Sequence, residues 1–393
     1  MRTIYTDANV ILKDRIIRGY VVVENGVIQA CGTGKPASAG GREIALNGLY
    51  LSPGFVEMHS HGAGGCDFMD GTATAVRTAA AVHLSHGTTT LYPTTLAATR
   101  AEILGSIDAL RAAREGWADG PHLPGLHMEG PYLNVAQKGA IDARYIRDPD
   151  PKEYEEFLDY GRGAIARWTV APELPGALEF AGRLRAEGIL PSMGHTAAEY
   201  GEILAGYEAG FTHVTHLYSA MSSMVRRGGF RYPGLIESAF CIEGLTVEVI
   251  ADGCHLPPEM LRMVYRVMGV ERVALTCDSM RCAGQQVSES ILGSLSNGQR
   301  VIIEDDVAKM PDRTAFAGSI ATDDRLVRVM RDQAGVPLQD CVRMMSLTPA
   351  QIMHIDDHTG SIEVGKTADL ICFDEQITVL GTMVAGNAKG NLA

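Results

Sequence analysis

Six residues at or just past the ends of apolar runs carry most of the chemistry this sequence can do. The run Phe55 to Met58 leads into His59-Ser60-His61. Glu129 closes Gly125 to Met128, His195 follows Leu190 to Met193, His216 follows Phe211 to Thr215, and Asp278 follows Val273 to Cys277. Residues two apart on a strand share a face, so both imidazoles of the H-x-H pair can reach one cation. Imidazole nitrogen and carboxylate oxygen suit zinc, with iron, manganese or cobalt as other occupants. Glu129, His195 and His216 supply three ligands and leave a position for water, whose acidity a divalent cation raises. Asp278 is then the base that takes a proton from that water and returns it to a leaving nitrogen. The chemistry expected is metal-assisted hydrolysis.

The elements that must hold these residues alternate between strand and helix. Strand-like runs at Phe55 to Met58, Thr88 to Tyr92, Gly125 to Met128, Trp168 to Ala171, Leu190 to Met193, Phe211 to Thr215, Thr246 to Ala251 and Val273 to Cys277 are separated by helix-like stretches such as 73–85, 100–114, 176–186, 197–209 and 258–268. Eight βα units point to a (β/α)8 barrel, whose active sites lie at the C-terminal ends of the strands. Asp252 and His255, after the seventh run, fall in the same layer. Residues 1–52 read instead as short β-rich runs, and the β-rich tail from Ser361 to Gly386 is of a kind to pair with them. The expected units are therefore 1–52, a barrel over 53–356, and 357–393.

The remaining histidines carry less. His83, His86, His122, His354 and His358 read as core or surface residues on helices or in loops. His213 lies three positions from His216 and is expected on the opposite face, and His127 lies deeper than Glu129 in a packing role. The formal charge of −13 and pI near 5.4 argue against nucleic acid or an anionic membrane as partner, so an anionic small molecule would need a local basic cluster. Nothing resembles a leader peptide or a membrane span, which leads to a cytoplasmic expectation. The eight cysteines form no C-x-x-C pair, and Cys31, Cys241, Cys277 and Cys372 lie in apolar runs, as reduced core thiols would.

The segment Pro53 to Gly62, with Gly318-Ser319 and the run Thr359 to Leu370, resembles the amidohydrolase superfamily. Asp67 to Thr72, Gly125 to Pro131, Lys138 to Ala140, Met193 to Thr196, Thr215 to Met221, Ala251 to His255, Thr276 to Met280 and Ala317 to Ser319 are similar to its amino-sugar-phosphate deacetylases. The resemblance implies a barrel flanked by a β-sandwich built from both chain ends, usually in a homodimer, that removes acetyl from an amino-sugar phosphate. It implies Glu129, His195 and His216 as metal ligands and Asp278 as the catalytic aspartate; some members hold a second metal through an H-x-H pair, which His59 and His61 would fit, so one or two ions are expected. Many superfamily members bridge two metals with a carboxylated lysine after the fourth strand. Here Val170 to Glu173 holds none, so Glu129 would have to bridge.

The resemblance also implies that His255 meets the acyl oxygen, and that Ala140, Ser219, Ala220, Phe316, Ala317 and Gly318 line the sugar pocket. Arg231 matches the family's phosphate-binding arginine, with Arg226 and Arg227 in a slightly longer loop before it. Ser219, Ile141 and Phe230 depart from the asparagine and two histidines usual at those positions, which leaves the N-acyl substrate open. A deaminase or cyclic-amide hydrolase of the same superfamily, and a non-catalytic protein on the same scaffold, are the competing expectations.

Overall fold

The computed structural model describes residues 1–36 and 40–393; residues 37–39, inside the expected opening unit, lie outside the described residues. Apolar runs bounded by turn residues form the eight parallel strands of a barrel. They are Phe55–Ser60, Thr88–Thr95, Leu126–Glu129, Ile165–Val170, Leu190–Met193, His213–Val214, Thr246–Ile250 and Val273–Thr276, paired in that order. Every residue from Thr88 to Thr95, and nearly every residue of the other seven, is buried. That is the signature of parallel strands covered on both faces. The sixth strand is shorter than its apolar run because the chain turns before His216.

The seam between the last and first strands is closed largely by side chains. The buried Glu57 carboxylate accepts the Thr276 hydroxyl at 2.5 Å and the Cys277 N–H at 2.8 Å. The Asp278 N–H donates to the His59 carbonyl at 3.0 Å, and Ser60 bridges Ser279. Outside the strands, the helices begin on local caps. Thr72 accepts the Ala75 N–H to start Ala73–Ser85, and Thr99 and Glu102 form a reciprocal box at Arg100–Arg114. Val56, Met58, Tyr92, Leu190 and Ala274 form one apolar cluster with Ala350, Ile352 and Met353 from the late helix Leu347–Ile352 and its end.

Both chain ends build a second, eight-stranded sheet. Arg2–Ile11 lies within it beside Ile16–Glu24 and Tyr50–Pro53, and the tail strands Leu370–Phe373, Val379–Val384 and Asn387–Gly390 extend it. Its own core includes Tyr5, Val10, Val21, Leu51, Leu370 and Cys372. A three-stranded meander, Glu289–Leu292, Gln299–Glu304 and Val307–Lys309, follows the last barrel strand and was not anticipated from the sequence. All eight cysteines are free; Cys277 and Cys372 are buried, Cys31 is partly exposed, and Cys241 is exposed where its helix ends, so the expectation of a core thiol fails there. No helix of the described residues is long and apolar enough to cross a membrane.

The barrel and the end sheet meet at a polar clasp. Buried Asp369 accepts the Thr359 hydroxyl at 2.9 Å and the Ala385 N–H at 2.8 Å, and it pairs with His122 Nε2 at 3.0 Å. The bond to Asp369 raises the His122 pKa against the opposing effect of burial. A raised folded-state value means the stabilisation is complete below the ordinary imidazole range, near about 6.5, and is lost as pH rises through the folded value. His122→Gln should therefore lower the melting temperature by about 1 to 2 °C at pH 6 and by less at pH 9. An equal loss at both pH values in a thermal-melt series would contradict the clasp.

Candidate metal centre

The site residues sit where the strands end, and several take a backbone form that β-strands do not. His195, His216 and Asp278, at the ends of the fifth, sixth and eighth strands, have φ of 47°, 31° and 44°. Left-handed backbone costs a non-glycine residue about 1 to 3 kcal/mol and persists only where the surroundings enforce it. Because His216 lies past its strand in this conformation, strand parity does not govern it. His213 is consequently not excluded from the interior: it is buried, 2.8 Å from Thr246 Oγ1 and 3.4 Å from Glu248 Oε2.

Two groups of donors converge. Glu129, His195 and His216 form one, and His59, His61 and Asp278 the other, with the chosen atoms in each within 4.8 Å of one another. Glu129 Oε1 lies 3.1 Å from His195 Nε2 and 3.0 Å from His216 Nε2, and its Oε2 lies 3.2 Å from His61 Nε2. Asp278 Oδ1 is 3.2 Å from His61 Nε2 and 3.4 Å from His59 Nε2. Glu129 thus faces both groups, as the missing fourth-strand lysine requires.

The protonation pattern fits divalent cations. His195 Nδ1 lies 2.8 Å from the Gln137 carbonyl, which can only accept, so Nδ1 carries a proton and Nε2 is the nitrogen presented to Glu129. His59 Nδ1, 2.9 Å from Glu248 Oε1, is fixed in the same way. Nε2 atoms crowded against carboxylates, with imidazole nitrogens 3.2 and 3.4 Å apart, are arrangements that a cation reconciles. Burial opposes charge on His59 and His61. The Asp278 and Glu129 carboxylates override it, holding His59 well above the imidazole range and His61 at about 9. The pocket demands positive charge.

Beside these donors lies a charged layer that the sequence reading missed. Arg167 and Glu248 are wholly buried and paired at 2.5 Å, and Arg167 also donates to Ser192 at 3.0 Å and Thr215 at 2.8 Å. Glu248 also accepts the His216 N–H at 3.2 Å. The available signal was a single charge in the middle of each of two apolar strands. His127 packs edge-on against His59 and bonds to Thr169 at 2.7 Å, the supporting role expected of it.

A cavity of about 360 Å³ opens over the donors. His61, Glu129, His195, His216, His255 and Asp278 line it together with Ala140, Ser219, Ala220, Phe316 and Gly318; Leu96, Ile141, Ile250 and Leu292 give it apolar walls. His255 is held by Asp252, with Nδ1 2.8 Å from Oδ2 and its backbone N–H 2.8 Å from Oδ1. Ala317 is buried beside the cavity and does not line it. Arg231 also lies outside it, on the exposed hairpin Val225–Arg227 and Phe230–Tyr232, where it pairs in register with Arg226. In the same hairpin Arg227 bonds to Glu199 at 2.6 Å and covers the Tyr232 ring at 4.0 Å. The hairpin projects into solvent, which is why these arginines do not reach the cavity of their own chain.

Glu248→Gln should cost about 3 kcal/mol or more, because it leaves Arg167 buried without its counter-charge. It should also weaken metal retention about tenfold by loosening His59. Unchanged denaturant stability would contradict the importance given to the buried pair.

The family model described as the amidohydrolase family matches residues 50–389. N-acetylglucosamine-6-phosphate deacetylase from Bacillus subtilis is 31% identical over 97% of this chain and 95% of its own length. The structure of a variant N-acetyl-D-glucosamine-6-phosphate deacetylase from Mycobacterium smegmatis, in complex with N-acetyl-D-glucosamine-6-phosphate, is 30% identical, with a TM-score of 0.89 over 99% of this chain and 98% of that one. The N-acetylglucosamine-6-phosphate deacetylase from Pasteurella multocida is 26% identical, with a TM-score of 0.92 over 99% and 100%. With its barrel, its two converging donor groups and a match over most of its length, the chain belongs to the amidohydrolase family.

Proposed function

We propose that this chain hydrolyses the N-acetyl amide of an amino-sugar phosphate, N-acetylglucosamine-6-phosphate or a close relative, releasing acetate and the free amine. The observation that carries the reading is Glu129, held between His195, His216 and His61 at the floor of a cavity of sugar-phosphate size. The similarity to the deacetylases from Bacillus subtilis and Mycobacterium smegmatis supports the substrate class.

Glu129, His195 and His216 would hold one divalent ion, and His59 and His61, with Glu129 between, a second. Zinc fits the donors best. Bound there, such an ion supplies Lewis acidity toward the acyl oxygen and makes a water acidic enough to react. Asp278 takes the proton of the attacking water and delivers it to the departing nitrogen. Asp278 is 8% exposed and lines the cavity, so that its carboxylate meets substrate while largely shielded from bulk water. His255 has Nδ1 engaged by Asp252, which leaves Nε2 as the ring nitrogen for the acyl oxygen. Phe316, edge-on to His255 with centroids 4.9 Å apart, and the Ala140 and Ser219-Ala220 walls orient the sugar.

One observation favours a second reading. Among the described residues no lysine or arginine lines the cavity, which suits an N-acylated compound without phosphate. Under the first reading Arg231 reaches the phosphate only from a moved hairpin or from a second copy. The exposed Met224, Val225, Phe230 and Tyr232 suit such a contact in a cytoplasmic homodimer.

Asp278→Asn should keep its metal and lose turnover by about a thousandfold; full activity with normal metal content would remove Asp278 from the mechanism. The metal-loaded chain should release acetate and free amine from N-acetylglucosamine-6-phosphate faster than from the same sugar without phosphate. Arg231→Ala should abolish that preference by raising KM about tenfold or more. Ammonia release without acetate would replace the reading by a deaminase, and equal rates on both sugars would favour the uncharged substrate.

A further inference from the structure

Outside the hydrolytic donors, the most unusual polar cluster lies between the barrel seam and its surrounding helices. His83 on the helix Ala73–Ser85, Cys277 just past the eighth strand, and Asp323 at the start of the helix Asp323–Asp332 are each 0% exposed. One donor atom from each lies within 4.8 Å of the other two. His83 Nδ1 has no hydrogen-bond partner, and Asp323, whose Oδ1 meets no N–H or hydroxyl donor, packs against the buried Glu57 carboxyl. Fully buried polar atoms are seldom left so.

The second polar atom of His83 and of Asp323 is anchored, and the Cys277 thiol donates to the His59 carbonyl at 3.8 Å. Ser279 Oγ donates to the Gly62 carbonyl at 3.0 Å, and Ser60 Oγ is 3.0 Å from Ser279 Oγ. With that chain running toward Gly62, Ser60 Oγ accepts from His83 Nε2 at 2.8 Å. The proton therefore sits on Nε2, and Nδ1 keeps an unpartnered lone pair. Thr88 donates to Asp323 Oδ2, leaving Oδ1 without a donor. A metal-binding histidine is oriented in this way by a bond at its far nitrogen, and a ligating carboxylate by a bond at its second oxygen.

We propose that His83, Cys277 and Asp323 form a second, structural metal site for a zinc-class cation, separate from the hydrolytic donors. Sulfur, nitrogen and oxygen in one buried group suit zinc or cobalt and exclude magnesium and calcium, which take oxygen shells. The three side chains, with a water, fill a tetrahedral shell, and binding releases the thiol and carboxyl protons to solvent. The ion joins the helix after the first strand, the end of the last strand and the helix that follows it. It thereby ties the seam where the barrel closes.

Cobalt separates this site from the hydrolytic one, because neither hydrolytic group contains sulfur. The full chain is produced in cobalt-supplemented minimal medium and its near-ultraviolet absorption recorded. The expected result is an intense thiolate-to-cobalt charge-transfer band that is lost in Cys277→Ser and kept in Glu129→Gln, a variant that should lose turnover. No band in cobalt-containing wild-type protein, as when a buried water occupies the cluster, overturns the proposal, and so does a band that survives Cys277→Ser. If Cys277→Ser does not fold, His83→Gln and Asp323→Asn are assayed for zinc by elemental analysis. A loss of one equivalent per chain supports the site, and an unchanged content overturns it. Failed hydrolysis with the band intact would count against the function alone.

Discussion

The organising constraint is a carboxylate that cannot stand alone. Glu129 is 3% exposed, and its two oxygens face imidazole nitrogens from the first, fifth and sixth strand ends. An isolated buried charge is prohibitively unfavourable, so the surroundings must supply positive charge or coordinate it. Second partners on the Nδ1 atoms of His195 and His59 leave Nε2 as the nitrogen each ring presents to the carboxylates. A divalent cation supplies positive charge to both carboxylates at once, and the departures from ordinary backbone around Glu129 make sense as the means of presenting ligands to it.

The barrel turns that local demand into a site. Parallel strands end in one layer, so residues distant in sequence meet without long loops. The cost is carried by strained residues at strand ends and by a charged interior in which Arg167 and Glu248 neutralise each other. Glu248 also orients His59 and receives the His216 N–H, so a residue outside the cavity lining fixes two of the candidate metal donors. At the seam, side chains replace a regular ladder. Glu57 joins the first strand to the last where Asp278 must be placed.

Much of this was legible in the sequence, for a physical reason. Glu129, His195, His216 and Asp278 stand at the ends of apolar runs, and eight such runs separated by helical stretches suffice to suggest a barrel. Arg167 and Glu248 were illegible because a lone charge within an apolar strand looks like an interruption until its opposite is found on another strand. The meander at 289–309 escaped notice because its strands are short and partly exposed, and it supplies Leu292 to the cavity. His213 was misplaced because parity was carried past the end of its strand. Arg231 lies outside the cavity of its own chain, and the sequence left open from which subunit such an arginine would come, since the course of an exposed hairpin depends on contacts that a single sequence does not encode.

Anomalous diffraction from crystals of the zinc-loaded chain tests the central claim most directly, because it locates ions without relying on turnover. A peak between Glu129, His195 and His216 in the wild-type protein, lost in Glu129→Gln, is the predicted result. Zinc-loaded crystals with no peak against Glu129 would contradict it.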